Sequence, residues 1–83
     1  MKKEEIKDGI FPIISSIACS SDFDLETSLE SLYFDCLDMV ECEMCIEDAF
    51  NIFIPEDKWE QVKTVNDVIN LVSEILEQQT TNN

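Results

Sequence analysis

Asp35-Cys-Leu-Asp-Met-Val-Glu-Cys-Glu-Met-Cys-Ile-Glu-Asp-Ala-Phe50 decides how the rest of the chain is read. Plotted at about 100° per residue, it shows two apolar arcs rather than the single stripe of an ordinary surface helix. The wider arc holds Met39, Cys42, Ile46, Ala49 and Phe50 and is expected to face a core. The narrower arc, on the other side, holds Leu37, Val40 and Met44, flanked by Glu41, Glu47 and Asp48. An apolar strip fenced by carboxylates suits a partner with a greasy socket and a basic rim. A loop of the same chain covering the strip is the alternative, and the residues alone leave both readings open.

Outward from this stretch, Asp35 stands where an N-cap belongs, with Asp38 three residues on, and the helix is expected to run to Phe50. Asn51 supplies a left-handed stop. Ile52-Phe53-Ile54 forms a short apolar bridge, and Pro55 opens a brief helix from Glu56 to Val62. Thr64-Val-Asn-Asp67 has the form of a capping box for a last helix over 65–78, in which Val65, Val68, Ile69, Val72, Ile75 and Leu76 keep helical spacing.

Upstream, Ile6, Ile10, Ile13, Ile14 and Ile17 give residues 3–18 the same period. Gly9 and Pro12 interrupt it, at about 1 and 3 kcal/mol in a helix interior, so the expectation is a kinked helix or one that properly begins near Pro12. Residues 19–35 show no sustained period, yet Phe23, Leu25, Leu29, Leu32 and Phe34 recur through them. Long structureless loops are rare inside compact domains, so this one is expected to be ordered, with one helical turn around Ser28–Leu32. No period-2 run long enough for a strand is present. The reading is an all-α, small four-helix bundle with three longer helices and a short third one. Phe50, Ile54, Leu29 and Ile69 are expected in one core, a single domain over 1–77, and a disordered tail over 78–83.

Composition narrows the function. A chain of 83 residues buries roughly 60 to 65% of the surface its unfolded form exposes, which leaves little room for an internal catalytic cavity. Nineteen carboxylates against five lysines, with no arginine or histidine, give a formal net charge of −14. That argues against nucleic acid and against anionic lipid as partners. It suits an acidic module steered to basic surfaces, or simply a solvated, self-repelling surface. Met1-Lys-Lys-Glu-Glu is not followed by an apolar segment, so no signal peptide or membrane span is expected and a cytoplasmic home is. Cys19, Cys36, Cys42 and Cys45 are then expected as thiols.

Cys42-x-x-Cys45 invites a metal or redox reading. Without histidine, and with Cys36 about 120° from Cys42 on the helix, a tetrahedral zinc site lacks ligands. A reactive thiolate needs electropositive surroundings, and carboxylates crowd this region. Cys42 is expected as a structural thiol. Cys36 follows the N-cap, where the helix dipole favours a thiolate by roughly 0.3 to 1 kcal/mol while Asp35 and Asp38 oppose it. Trp59 is expected as a core lid, and Glu43 to snorkel to solvent near the helix start.

Asp35-Cys36-Leu37-Asp38-Met39-Val40-Glu41, with Ser28-Leu29 and Leu32 before it and Glu47, Phe50, Ile54-Pro55 and Thr64-Val65 after it, resembles an acyl carrier protein. The likeness is closest from Thr27 to Val72. It implies a carrier, not an enzyme, whose second helix opens with Asp-Ser-Leu. The family's serine receives phosphopantetheine from coenzyme A, and the arm's thiol holds an acyl chain as a thioester. Here Cys36 stands at the serine position, between Asp35 and Leu37, which keep their family identities. The resemblance assigns partner binding to Asp38, Val40, Glu41, Met44, Glu47 and Asp48. The implied partners are a phosphopantetheinyl transferase and acyl-chain-processing enzymes with basic docking surfaces, met by a monomeric carrier. Three readings of Cys36 stand open: an unusual attachment point, by phosphothioester or direct acylation; a carrier fold that keeps only partner binding; or a cysteine introduced in place of a natural serine.

Overall fold

In the computed structural model, which describes the backbone of residues 2–81 and the side chains of 2–78, the helical expectation holds in order and number. Helix α1 spans Lys3–Ala18 without a break at Gly9 or Pro12. Ile6, Ile10 and Ile14 are fully buried along it. Three such side chains contribute roughly 1.5 to 3 kcal/mol each, more than the roughly 4 kcal/mol that the glycine and proline together cost. Gly9 has a tertiary reason to be there: a Cβ on it would lie 2.7 Å from Cζ of Phe50, so only glycine lets that ring come so close. The helix ends on Cys19 in the left-handed region, φ 56°, and the N–H groups of Cys19 and Ser20 both donate to the Ser15 carbonyl.

The segment that follows is ordered, as expected, because its backbone is tied to the far end of the chain. Leu29 N–H donates to the Lys63 carbonyl at 2.8 Å, Val65 N–H to Thr27 at 3.0 Å, and Asn66 N–H to Leu25 at 2.8 Å. Ser28 and Thr64 form an isolated bridge, and no strand occurs among the described residues. A 3₁₀ turn covers Glu30–Leu32. Leu29 is buried, and Phe23, Leu25, Leu32 and Phe34 pack against the core.

Helix α2 spans Cys36–Phe50 and stops at Asn51, left-handed with φ 53°. Helix α3 is only Glu56–Trp59, shorter than the expected 56–62. Its continuation tightens into i−3 bonds from Gln61 N–H to Lys58 and from Val62 N–H to Trp59, which brings the Lys63 carbonyl to Leu29. Helix α4 spans Val65–Thr81. Its capping box is present: Thr64 N–H donates to Asp67 Oδ2 at 3.1 Å and Asp67 N–H to Thr64 Oγ1 at 3.1 Å. The backbone is helical through Thr81 where a disordered tail was expected from residue 78, with Glu77, Gln78 and Gln79 favouring helix and no glycine or proline to stop it; Asn82 and Asn83 lie outside the described residues.

α1 packs against both α2 and α4, and Val65, Val68 and Val72 of α4 are fully buried. Leu29, Ile54 and Ile69 share that core, with Phe50 partly buried against it. Trp59 is buried as a lid, its Nε1 without a hydrogen-bond partner. The inner face of α2 is narrower than the sequence arc: Cys42 and Ile46 are fully buried and Met39 half-buried, but Ala49 in the last turn is exposed, its single methyl too short to reach the core.

Candidate functional site: the start and outer face of helix α2

Asp35 and Asp38 build the entrance to α2 reciprocally. Asp38 N–H donates to Asp35 Oδ1 at 2.9 Å, and Asp35 N–H donates to Asp38 Oδ2 at 3.2 Å. Both carboxylates therefore serve the backbone, and Asp38 is half-buried rather than free on the surface. The box fixes the direction in which α2 starts and leaves Cys36, its first residue, as an exposed free thiol at the positive end of the helix.

Along the outer face Leu37 is 79% exposed, Val40 50% and Met44 62%. No part of the described chain covers the narrow arc, which removes the reading in which a loop seals it. Glu41 and Asp48 flank it as exposed carboxylates. Glu47 is different. Its Oε2 accepts the Ile54 N–H at 2.8 Å and its carbonyl accepts the N–H groups of Asn51 and Ile52, so this carboxylate holds the turn between α2 and α3. Glu43, expected to snorkel to solvent, is half-buried. Its carboxyl is raised above the ordinary range by partial burial first, then by Glu47 and Glu56.

The remaining thiols divide as their positions dictate. Burial pushes the Cys42 thiol up to about 12, with Cys45, Glu41 and Glu43 adding to it, so it stays protonated and inert. Cys19 and Cys45 are exposed. Among the described residues no group of three histidine, cysteine or carboxylate side chains is placed to hold a metal ion, and no helix is long and apolar enough to cross a membrane. Beside the first turns of α2 a cleft opens between Leu29, Phe34, Met39 and Val62, with Lys63 at its edge; Met39 is one turn from Cys36.

Tyr33 and Phe53 were not singled out as site residues by the sequence, although both are exposed. Together with Leu37, Val40 and Met44 they make up the exposed large hydrophobics among the described residues, all on α2 or within three positions of its ends. The one available signal was the Ile52-Phe53-Ile54 run, in which burial of both isoleucines turns the phenylalanine outward.

No protein-family model matches the chain. Its sequence is 38% identical over 73 residues to the acyl carrier protein of Thermobifida fusca, an alignment that takes in 84% of this chain and 92% of the relative. The chain belongs to the acyl carrier protein family. The acyl carrier protein of Acidothermus cellulolyticus is 36% identical over 76 residues, 88% of this chain and 90% of that one. The fold agrees: the crystal structure of an acyl carrier protein from Thermotoga maritima matches with a TM-score of 0.80 at 25% identity, over 94% of each chain. The helix order and the short third helix thus agree with an acyl carrier protein.

Proposed function

We propose that this chain acts as an acyl carrier protein whose loading is altered at Cys36, the attachment position, and whose docking on basic enzyme surfaces runs through the outer face of α2. The observation that carries the reading is the exposed Cys36 thiol directly after the Asp35–Asp38 box, with Leu37, Val40 and Met44 open beside it. Partners fitting this surface are a phosphopantetheinyl transferase and acyl-chain-processing enzymes, for which Glu41 and Asp48 supply attraction that fades beyond about 8 Å at physiological salt. The protein is acted on by these enzymes and is not itself a catalyst. A cytoplasmic, monomeric protein is in keeping with its charge.

Phosphopantetheine, the group the family implies, is suited by the position of residue 36 but not by its nucleophile. Sulfur is larger than oxygen and makes a longer bond to phosphorus, so a transferase shaped for serine finds its acceptor displaced. The intact docking face with an altered nucleophile also favours a second reading, a non-carrying interaction module that occupies carrier-binding sites.

Intact-mass measurement after incubation with a phosphopantetheinyl transferase and coenzyme A separates the two. A mostly unmodified parent with a minor fraction loaded on Cys36, and a fully loaded Cys36→Ser variant, are the expected results; a parent with no loaded fraction beside a fully loaded Cys36→Ser variant favours the interaction module. A modification mapped to Cys42 or Cys45, or a Cys36→Ser protein that stays unloaded beside a working control carrier, overturns the carrier reading and leaves the interaction module.

A further inference from the structure

Phe53 presents the anomaly that the carrier reading leaves unexplained. It is 75% exposed, yet it sits between two buried neighbours, Ile52 and Ile54, in a turn that Glu47 holds with three bonds: from the N–H groups of Asn51 and Ile52 to its carbonyl and from Ile54 N–H to its carboxylate at 2.8 Å. The backbone under Phe53 is therefore fixed, and a large aromatic is held out in water where it contributes nothing to the core. Apolar surface of that size raises the free energy of the exposed state, and a rigid aromatic with two side-chain torsions gives up little freedom when it is covered.

We infer that Phe53 is an aromatic docking anchor, which extends the partner surface from the outer face of α2 onto the α2–α3 turn and inserts into an apolar socket ringed by basic side chains on a phosphopantetheinyl transferase. The inference rests on the docking reading above and specifies it. The charge around the turn selects a basic occupant. No lysine stands between Lys7 and Lys58 in the sequence, Lys58 is paired with Glu74 at 3.2 Å, and Asp48, Glu56 and Asp57 are exposed on either side of the turn. An acidic partner meets repulsion here, a neutral one gains no long-range attraction, and a second copy of this chain, with net charge −14, is repelled as well. A socket with a basic rim is attracted by the carboxylates and gains the ring. Anchors of this kind, aromatic, pre-positioned and surrounded by polar groups, carry a large share of interface energy.

The test is binding, not loading, so the nucleophile at position 36 does not enter it. Affinity for an immobilised phosphopantetheinyl transferase is measured for the parent, Phe53→Ala and Met44→Ala at low and high salt, with a thermal melt of each. Phe53→Ala is expected to melt like the parent and to weaken binding about tenfold by a similar factor at both salt concentrations, since the lost contact is apolar. Met44→Ala weakened but Phe53→Ala binding like the parent overturns the anchor and leaves the docking face on α2 standing. Both variants binding like the parent means that the docking reading itself fails, and the anchor with it.

Discussion

The two faces of α2 are built from the same kinds of side chain and meet opposite fates. On one, Cys42 and Ile46 lose all contact with solvent. On the other, Leu37, Val40 and Met44 keep half or more of theirs. Apolar character does not distinguish them; the residues alongside do. Exposed Glu41 and Asp48 line the outer face, and pressing another helix onto them would strip charges of water at a cost of several kcal/mol per ion. The inner face has no such barrier, and α1 closes on it. The thiols repeat the contrast six residues apart, Cys36 open at the first turn and Cys42 sealed and protonated.

Truncations on the two faces should differ most. Ile46→Ala is expected to lower unfolding stability by about 2 to 5 kcal/mol, because it opens a cavity in the core, whereas Met44→Ala should change it by no more than about 0.5 kcal/mol. Denaturant titrations of both proteins check this, and similar losses would erase the distinction between the faces.

The inner thiol gives the contrast a pH signature. Below an ordinary thiol pKa near 9 both folded and unfolded chains keep the proton and Cys42 adds no pH dependence. Above it the unfolded chain releases the proton while the buried thiol holds it until about 12, so stability should fall as pH rises through that window, at about 1.4 kcal/mol per unit from this group. Comparing the parent with Cys42→Ala isolates the effect: the variant should be less stable at neutral pH and flatter above pH 9. Equal slopes would place Cys42 in water.

Where the inner face ends, Phe50 leans on Gly9, and a smaller effect is expected there. Gly9→Ala gains about 1 kcal/mol of helix propensity but displaces the Phe50 ring, at about 1 to 3 kcal/mol, for a net loss near 1 kcal/mol. In a Phe50→Leu background the same change should stabilise. Melts of the four proteins read the sign reversal directly.

Much of this was legible in the sequence because its signals are local. Asp35 with Asp38 and Thr64 with Asp67 announce their helices at a spacing of three, and Asn51 its stop. What escaped depends on partners distant in the chain. Gly9 reads as a helix breaker until Phe50 is seen against it, and α3 ends early because the Lys63 carbonyl is needed by Leu29. In the candidate site, the candidacy of Leu37, Val40 and Met44 as an outer strip shows in the sequence, with a covering loop left equally open there until the fold exposed all three. The structural employment of Glu47 does not show there, since its bond to Ile54 crosses a turn, and Phe53 was hidden inside a run that reads as uniformly apolar.

Methyl-resolved NMR during titration with a phosphopantetheinyl transferase checks whether a partner meets the outer face of α2 and leaves the core side untouched. The methyl signals of Leu37, Val40 and Met44 are expected to shift or broaden first while those of Ile10, Ile14 and Val68 stay in place. Perturbations confined to α1 and α4, with the Leu37, Val40 and Met44 signals unmoved at saturation, would contradict this placement of the partner.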